Sequence, residues 1–140
     1  MSVRSVPLKV EMKGDGQILN ITRLVTETIA GCGLKAGVFT VFVQHTTASV
    51  MIIEDEPGIR TDTMKAWERM IPADPGLEHN VRNAGETNGH SHLRGQLQGH
   101  SITVPFNGGA PSLGRWQQIV LIDFDTTARA RNVLIQIVGE

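Results

Sequence analysis

Val38-Phe39-Thr40-Val41-Phe42-Val43-Gln44-His45-Thr46-Thr47-Ala48-Ser49-Val50-Met51-Ile52-Ile53 sets two dense runs of β-branched and aromatic residues on either side of a short polar link. Residues 38–43 and 49–53 each have the composition and length of a buried strand. Together they deliver His45 to the end of a sheet, beside the hydroxyls of Thr46 and Thr47. Those hydroxyls bind a phosphate, fix the imidazole tautomer, or close a turn. An antiparallel hairpin through the link would also bring the carboxylates that follow, Glu54 and Asp55, near His45.

Toward the N-terminus, residues 5–12 alternate as a strand with one wet face, and Lys13-Gly14-Asp15-Gly16 supplies a turn. Asn20 is placed to cap a helix from Thr22 to Cys32, with Ile21, Leu24, Val25, Ile29 and Cys32 as its apolar stripe and Gly33 as its stop. On that stripe Cys32 reads as a small buried hydrophobe. Toward the C-terminus, the acidic triplet Glu54-Asp55-Glu56 precedes Pro57, a favoured first helical residue. The spacing of Ile59, Thr63, Ala66, Trp67, Met70 and Ile71 predicts a helix that Pro72 ends. Beyond the Ala73-Asp74-Pro75-Gly76 turn, residues 79–105 read as a long polar loop with a helical turn or two over 93–97, then a strand over 100–106. Residues 115–124 and 129–138 read as closing strands joined by a hairpin over 125–128, with Trp116 in the core or an interface. The pattern is α+β: antiparallel or mixed sheets with two main helices, in a single domain over 1–140.

The balance of 13 basic against 14 acidic residues gives a net charge of −1, which provides no field to recruit nucleic acid or an anionic membrane. Tyrosine is absent, so a base-stacking platform is poorly supplied. The lone Cys32 excludes an internal disulfide framework, and no run has the length of a membrane span. These features predict a soluble, cytoplasmic protein with neither nucleic acid nor membrane as partner.

Four of the five histidines, His79, His90, His92 and His100, fall in the polar loop. His90 and His92 face one side only if the chain is extended there; on a helix they point about 200° apart. Loop histidines are ligands, acid–base groups, or solvated side chains. Glu54 is a base, an orienting partner for an imidazole, a water-mediated magnesium ligand, or part of a helix cap. Arg129 and Arg131 alternate on a strand and share a face, suiting either a phosphate or an ion pair between subunits. Ser101 offers a hydroxyl to an anion.

His45-Thr46-Thr47-Ala48-Ser49, His79-Asn80, Asn88-Gly89-His90-Ser91-His92-Leu93, Gly99-His100-Ser101 with Val104-Pro105, Leu113-Gly114-Arg115-Trp116-Gln117 and Arg129-Ala130-Arg131 to Gly139-Glu140 together resemble the YjbQ family. The resemblance runs from about Asn20 to the C-terminus. It implies a β-sandwich-like fold flanked by helices, a homotrimer, and a pocket whose motif histidines, His45, His79 and His92, hold a divalent metal; read with the residues themselves, these histidines would serve catalysis with Glu54. Thr46, Thr47, Asn88, Ser101, Arg129 and Arg131 would then contact a phosphorylated substrate. His90 and His100 fall where the family does not require histidine. The implied activity is that of a secondary thiamine-phosphate synthase, which joins hydroxymethylpyrimidine diphosphate to thiazole phosphate and releases pyrophosphate. Three histidines suit a zinc-like ion, whereas a diphosphate substrate suits magnesium. The alternatives are a non-catalytic trimer that binds a metal or small ligand, and histidines that hold a subunit interface without metal.

Overall fold

Both apolar runs are strands, as their composition predicts, yet they lie in different sheets. The computed structural model describes residues 1–140. Its elements are β1 (Ser2–Met12), β2 (Gln17–Asn20), α1 (Thr22–Gly31), β3 (Ala36–Val43), β4 (Ala48–Ile53), α2 (Pro57–Met70), α3 (Glu78–Arg82), α4 (Gly89–Gln98), β5 (Ser101–Asn107), β6 (Ala110–Pro111), β7 (Gln118–Asp123) and β8 (Arg129–Gly139). One sheet has the order β1-β8-β3-β5-β6 and the other β2-β7-β4. Every pairing is antiparallel.

Strand alternation explains why β3 and β4 stack instead of pairing. Phe39, Val41 and Val43 on β3, with Val133, Ile135 and Ile137 on β8, bury against Ala48 and Val50 on β4 and Ile119 and Leu121 on β7. Each large apolar side chain buried there contributes about 1.5–3 kcal/mol. A flat hairpin would leave the two faces without each other. The hairpin expected over residues 44–48 is therefore a crossover between sheets, and so is the one expected over 125–128.

The N-cap of α1 is Ile21 and not the expected Asn20, which sits one residue earlier with its Oδ1 accepting the Thr22 N–H at 2.9 Å, and α1 sends Val25 and Ile29 into the same core. Glu56 caps α2 by accepting the Ile59 N–H. The outer face of the smaller sheet packs on α2, where Trp67 meets Phe124 edge-on at 5.1 Å between centroids.

Four helices form where two were expected. α4 contains the helical turn expected over 93–97 and extends it back to Gly89, and α3 forms just before it, because burial of Ser91 and Gly95 against the crossovers and of Arg94 beside Ile71 outweighs a weak local propensity. The strand expected from Arg115 begins only at Gln118; Trp116 is exposed, outside the core, with the Arg115 guanidinium 4.8 Å from its ring centre. No helix is long and apolar enough to cross a membrane.

Candidate functional site

The two crossovers lie side by side at one end of the sandwich, where the Phe124 N–H donates to the Thr47 carbonyl at 2.9 Å. Alternation sets the side chains around them. Asp123 follows Ile119 and Leu121 onto the inner face of β7, and Arg131 precedes Val133 and Ile135 on the inner face of β8. They meet between the sheets: Arg131 Nε donates to Asp123 Oδ2 at 2.9 Å, and Arg131 Nη2 reaches both Asp123 Oδ1 and Thr47 Oγ1.

Asp125, two residues on, points into a cleft and gathers its neighbours. It accepts from Thr47 Oγ1 at 2.9 Å, Asn88 Nδ2 at 3.2 Å and the Thr126 N–H at 2.8 Å, and pairs with Arg129 Nη2 at 3.2 Å. Burial pulls its pKa up, but the hydrogen bonds from Thr126, Thr47 and Asn88 and the Arg129 charge together hold it below the usual carboxylate value. Asp125 is an anion that anchors the surrounding donors.

Three histidines complete the wall. His45 Nε2 accepts the Asn132 N–H at 2.8 Å, which makes Nδ1 the protonated nitrogen of the neutral ring. Burial lowers its pKa, and the Arg131 and Arg129 charges add to the effect. The rings of His79 on α3 and His92 on α4 lie against each other, centroids 4.5 Å apart and planes tilted by 40°. The His92 pKa is lowered, first by burial and then by His79. Asn80 Oδ1 accepts the Gly89 N–H at 2.9 Å and ties the two helices together. The cleft, about 290 Å³, is lined by His45, Thr46, Thr47, His79, Glu86, Asn88, His92, Asp125, Arg129 and Arg131, none of them hydrophobic.

The fold thus brings together eight expected residues: His45, Thr46, Thr47, His79, Asn88, His92, Arg129 and Arg131. It leaves out two. Glu54 is exposed beyond the opposite end of β4, about 20 Å of strand from the cleft at 3.3 Å per residue, because β4 runs away from His45 in its own sheet. Ser101 starts β5 opposite Phe42, exposed on the outer face of the larger sheet. Arg131 is present but largely engaged: its Nε and Nη2 serve Asp123 and Thr47 while Nη1 is buried without a partner, so the half-exposed Arg129, paired with Asp125 through Nη2, is the guanidinium more open to a ligand. His90 diverges from His92 because α4 is helical there. Glu86, Asp123 and Asp125 were not foreseen. Their signal for the last two was the alternation Asp123-Phe124-Asp125, which puts both carboxylates on one face as Arg129 and Arg131 are.

A divalent metal held by His45, His79 and His92 does not fit this donor set within one chain. The lone pair of His45 Nε2 is occupied by the Asn132 N–H, and no three side chains of His, Cys, Asp or Glu converge as a ligand group.

A family model described as UPF0047 protein YjbQ-like matches residues 7–140. A UPF0047 protein of Methanothermobacter thermautotrophicus is 31% identical over 140 residues, covering 100% of this chain and 95% of its own length. A UPF0047 protein of Mycobacterium tuberculosis is 38% identical over 102 residues, covering 73% of this chain and 75% of its own. Among solved structures, a hypothetical protein from Aeropyrum pernix superposes with a TM-score of 0.89 at 31% identity, covering 98% of this chain and 99% of that one. A YjbQ/UPF0047-family protein from Clostridium acetobutylicum gives 0.85 at 29% identity, covering 95% and 99%.

Proposed function

The chain belongs to the YjbQ-like UPF0047 family, and on that premise we propose that the cleft at the sandwich end binds a phosphorylated small molecule and catalyses transfer at its phosphate-bearing carbon. The observation that carries this reading is an entirely polar cleft in which a half-exposed Arg129 stands with two imidazoles in contact and the His45 ring. Arg129 offsets phosphate charge, and the Nδ1–H of His45 and the Thr46 hydroxyl supply donors. His92, neutral at pH 7 because burial and His79 hold its pKa down, receives or returns a proton.

Thiamine phosphate formation is the reaction to try first. The thiazole nitrogen forms a C–N bond to the pyrimidine methylene as its C–O bond to the diphosphate breaks, and the electron pair leaves with pyrophosphate. A second reading, non-catalytic binding of a monophosphate, is favoured by the commitment of Arg131 to Asp123, which leaves the half-exposed Arg129 as the one solvent-accessible guanidinium of the cleft.

The proposed assembly is a homotrimer. Val38 and Phe42 are exposed on the outer face of the five-stranded sheet, and a hollow of about 550 Å³ at that face shares His45 and Thr46 with the cleft. A partner chain covering the face would also wall the site. Sedimentation equilibrium tests this; a monomer at micromolar concentration rejects it.

For the site, pyrophosphate titration followed by NMR should show binding that Arg129→Ala weakens roughly tenfold and Glu54→Gln leaves unchanged. Thiamine phosphate formation should fall about 10²-fold or more in His92→Ala with pyrophosphate affinity retained. Binding without any turnover selects the monophosphate reading, and neither binding nor turnover rejects both.

A further inference from the structure

Helix α4 presents a second polar face, turned away from His92. His90 and Arg94, one helical turn apart, line a cleft of about 380 Å³ with Asp15, Met64, Glu68 and Phe124. Both are more than nine-tenths buried: Arg94 is 5% exposed and His90 7%. The Arg94 guanidinium makes one hydrogen bond to protein, from Nε to the Ile71 carbonyl at 3.0 Å, and enters no ion pair. Neither Nη group has a hydrogen-bond partner in the protein, and the side chain lines the cleft. His90 Nδ1 is likewise buried and unpartnered. Burial pulls the Arg94 pKa below the ordinary guanidinium value, with only Glu68 opposing. No carboxylate comes within ion-pair distance of this guanidinium, so a carboxylate from outside would supply the close partner that Asp15 and Glu68 do not.

The walls narrow the ligand class. Two carboxylates, Asp15 and Glu68, face one guanidinium, so a simple dianion would meet more repulsion than attraction. Met64 and Phe124 add an apolar surface. Asp15 is held at the rim by a tight turn, its N–H donating to the Asp125 carbonyl at 2.6 Å and that of Gly16 to the Asp123 carbonyl at 2.7 Å. We propose that this cleft binds a small zwitterion of the α-amino-acid class, its carboxylate on the Nη groups of Arg94, its ammonium toward Asp15 and Glu68, and its apolar side chain on Met64 and Phe124.

The test is an NMR titration of the full chain with L-leucine, isocaproate, isoamylamine and inorganic phosphate. Leucine should give saturable shifts at the amides of Gly16, His90 and Phe124 and at the Arg94 Nε–H. Isocaproate, which lacks the amine, and isoamylamine, which lacks the carboxylate, should bind roughly tenfold more weakly. Arg94→Lys should weaken leucine roughly tenfold. Glu68→Gln, on the exposed side of α2 and harmless to folding, should weaken leucine about threefold and leave isocaproate unchanged. The proposal is overturned by an absent leucine response, by shifts confined to His92 and Asp125, by phosphate binding more tightly than leucine, or by a leucine response that Glu68→Gln leaves untouched.

Discussion

Arg131 and Asp123 form a two-pronged ion pair between the sheets, with side chains 1% and 0% exposed. This pair joins the apolar core to the polar cleft. Removing the cation would leave Asp123 charged in a dry site, and breaking one side of such a pair costs about 3–5 kcal/mol. Arg131→Ala should therefore lower the urea midpoint by that equivalent with an unchanged slope. Arg131→Lys should recover only part of it, because an ammonium cannot reproduce the fork. A loss below about 1 kcal/mol would assign the pair no more than a surface value.

Acid should weaken the fold in two stages. His45, His90 and His92 are each held below the ordinary imidazole value, with burial as the largest cause. The unfolded chain then takes up protons first, so stability is complete above the unfolded value of about 6.5 and declines as pH falls from there toward the folded values. Asp125 acts lower: its stabilisation is complete above about 3.9, the unfolded value, and is lost as pH falls through its folded value. Denaturant unfolding measured across this range should show both losses; stability that stays level from about pH 7 to pH 5 would contradict the histidine contribution.

His79 acts on His92 through charge. Since His79 lowers the His92 pKa after burial does, His79→Ala should raise it. The wider opening left by alanine shifts it the same way. Imidazole NMR titration reads the change, and an unmoved or lowered His92 value would break the link between the two rings.

Gly95 sets how closely α4 approaches the His45 crossover. A Cβ at Gly95 would lie 2.5 Å from the Thr46 carbonyl oxygen, which belongs to backbone and cannot swing aside. Alanine improves helix propensity by about 1 kcal/mol, but overpacking of this kind costs about 1–3 kcal/mol. Gly95→Ala should lower the melting temperature and shift the amides of Thr46 and Thr47. A raised melting temperature would mean that the helix moves away without cost.

Much of the fold was legible locally. The strands over 38–43 and 49–53, α1, and α2 behind Glu56 and Pro57 follow from side-chain branching, apolar period and capping chemistry, which act within a few residues of chain. The family motifs likewise marked His45, His79, Asn88, His92 and Arg129 before any contact between them was visible. Helix α4 was legible only over 93–97, since Gly89, His90, Ser91, His92 and Gly95 carry little helical preference and its first turn forms only against the crossovers.

Tertiary structure alone decided which partners the strands took. A run such as 38–43 shows that it has a face to bury but not whether that face meets a neighbour at its edge or a sheet across the core. Choosing the core turned both expected hairpins into crossovers, removed Glu54 and Ser101 from the site, and put Asp123 and Asp125 in. The same choice fixed the histidines: a helix through Gly89–Gln98 parts His90 from His92, and the Asn132 N–H claims the free nitrogen of His45. Sequence determined which side chains carry the chemistry, because type and alternation are local. Packing determined which of them remain free to use it, because a lone pair or a guanidinium is spent on whatever the rest of the chain brings within reach.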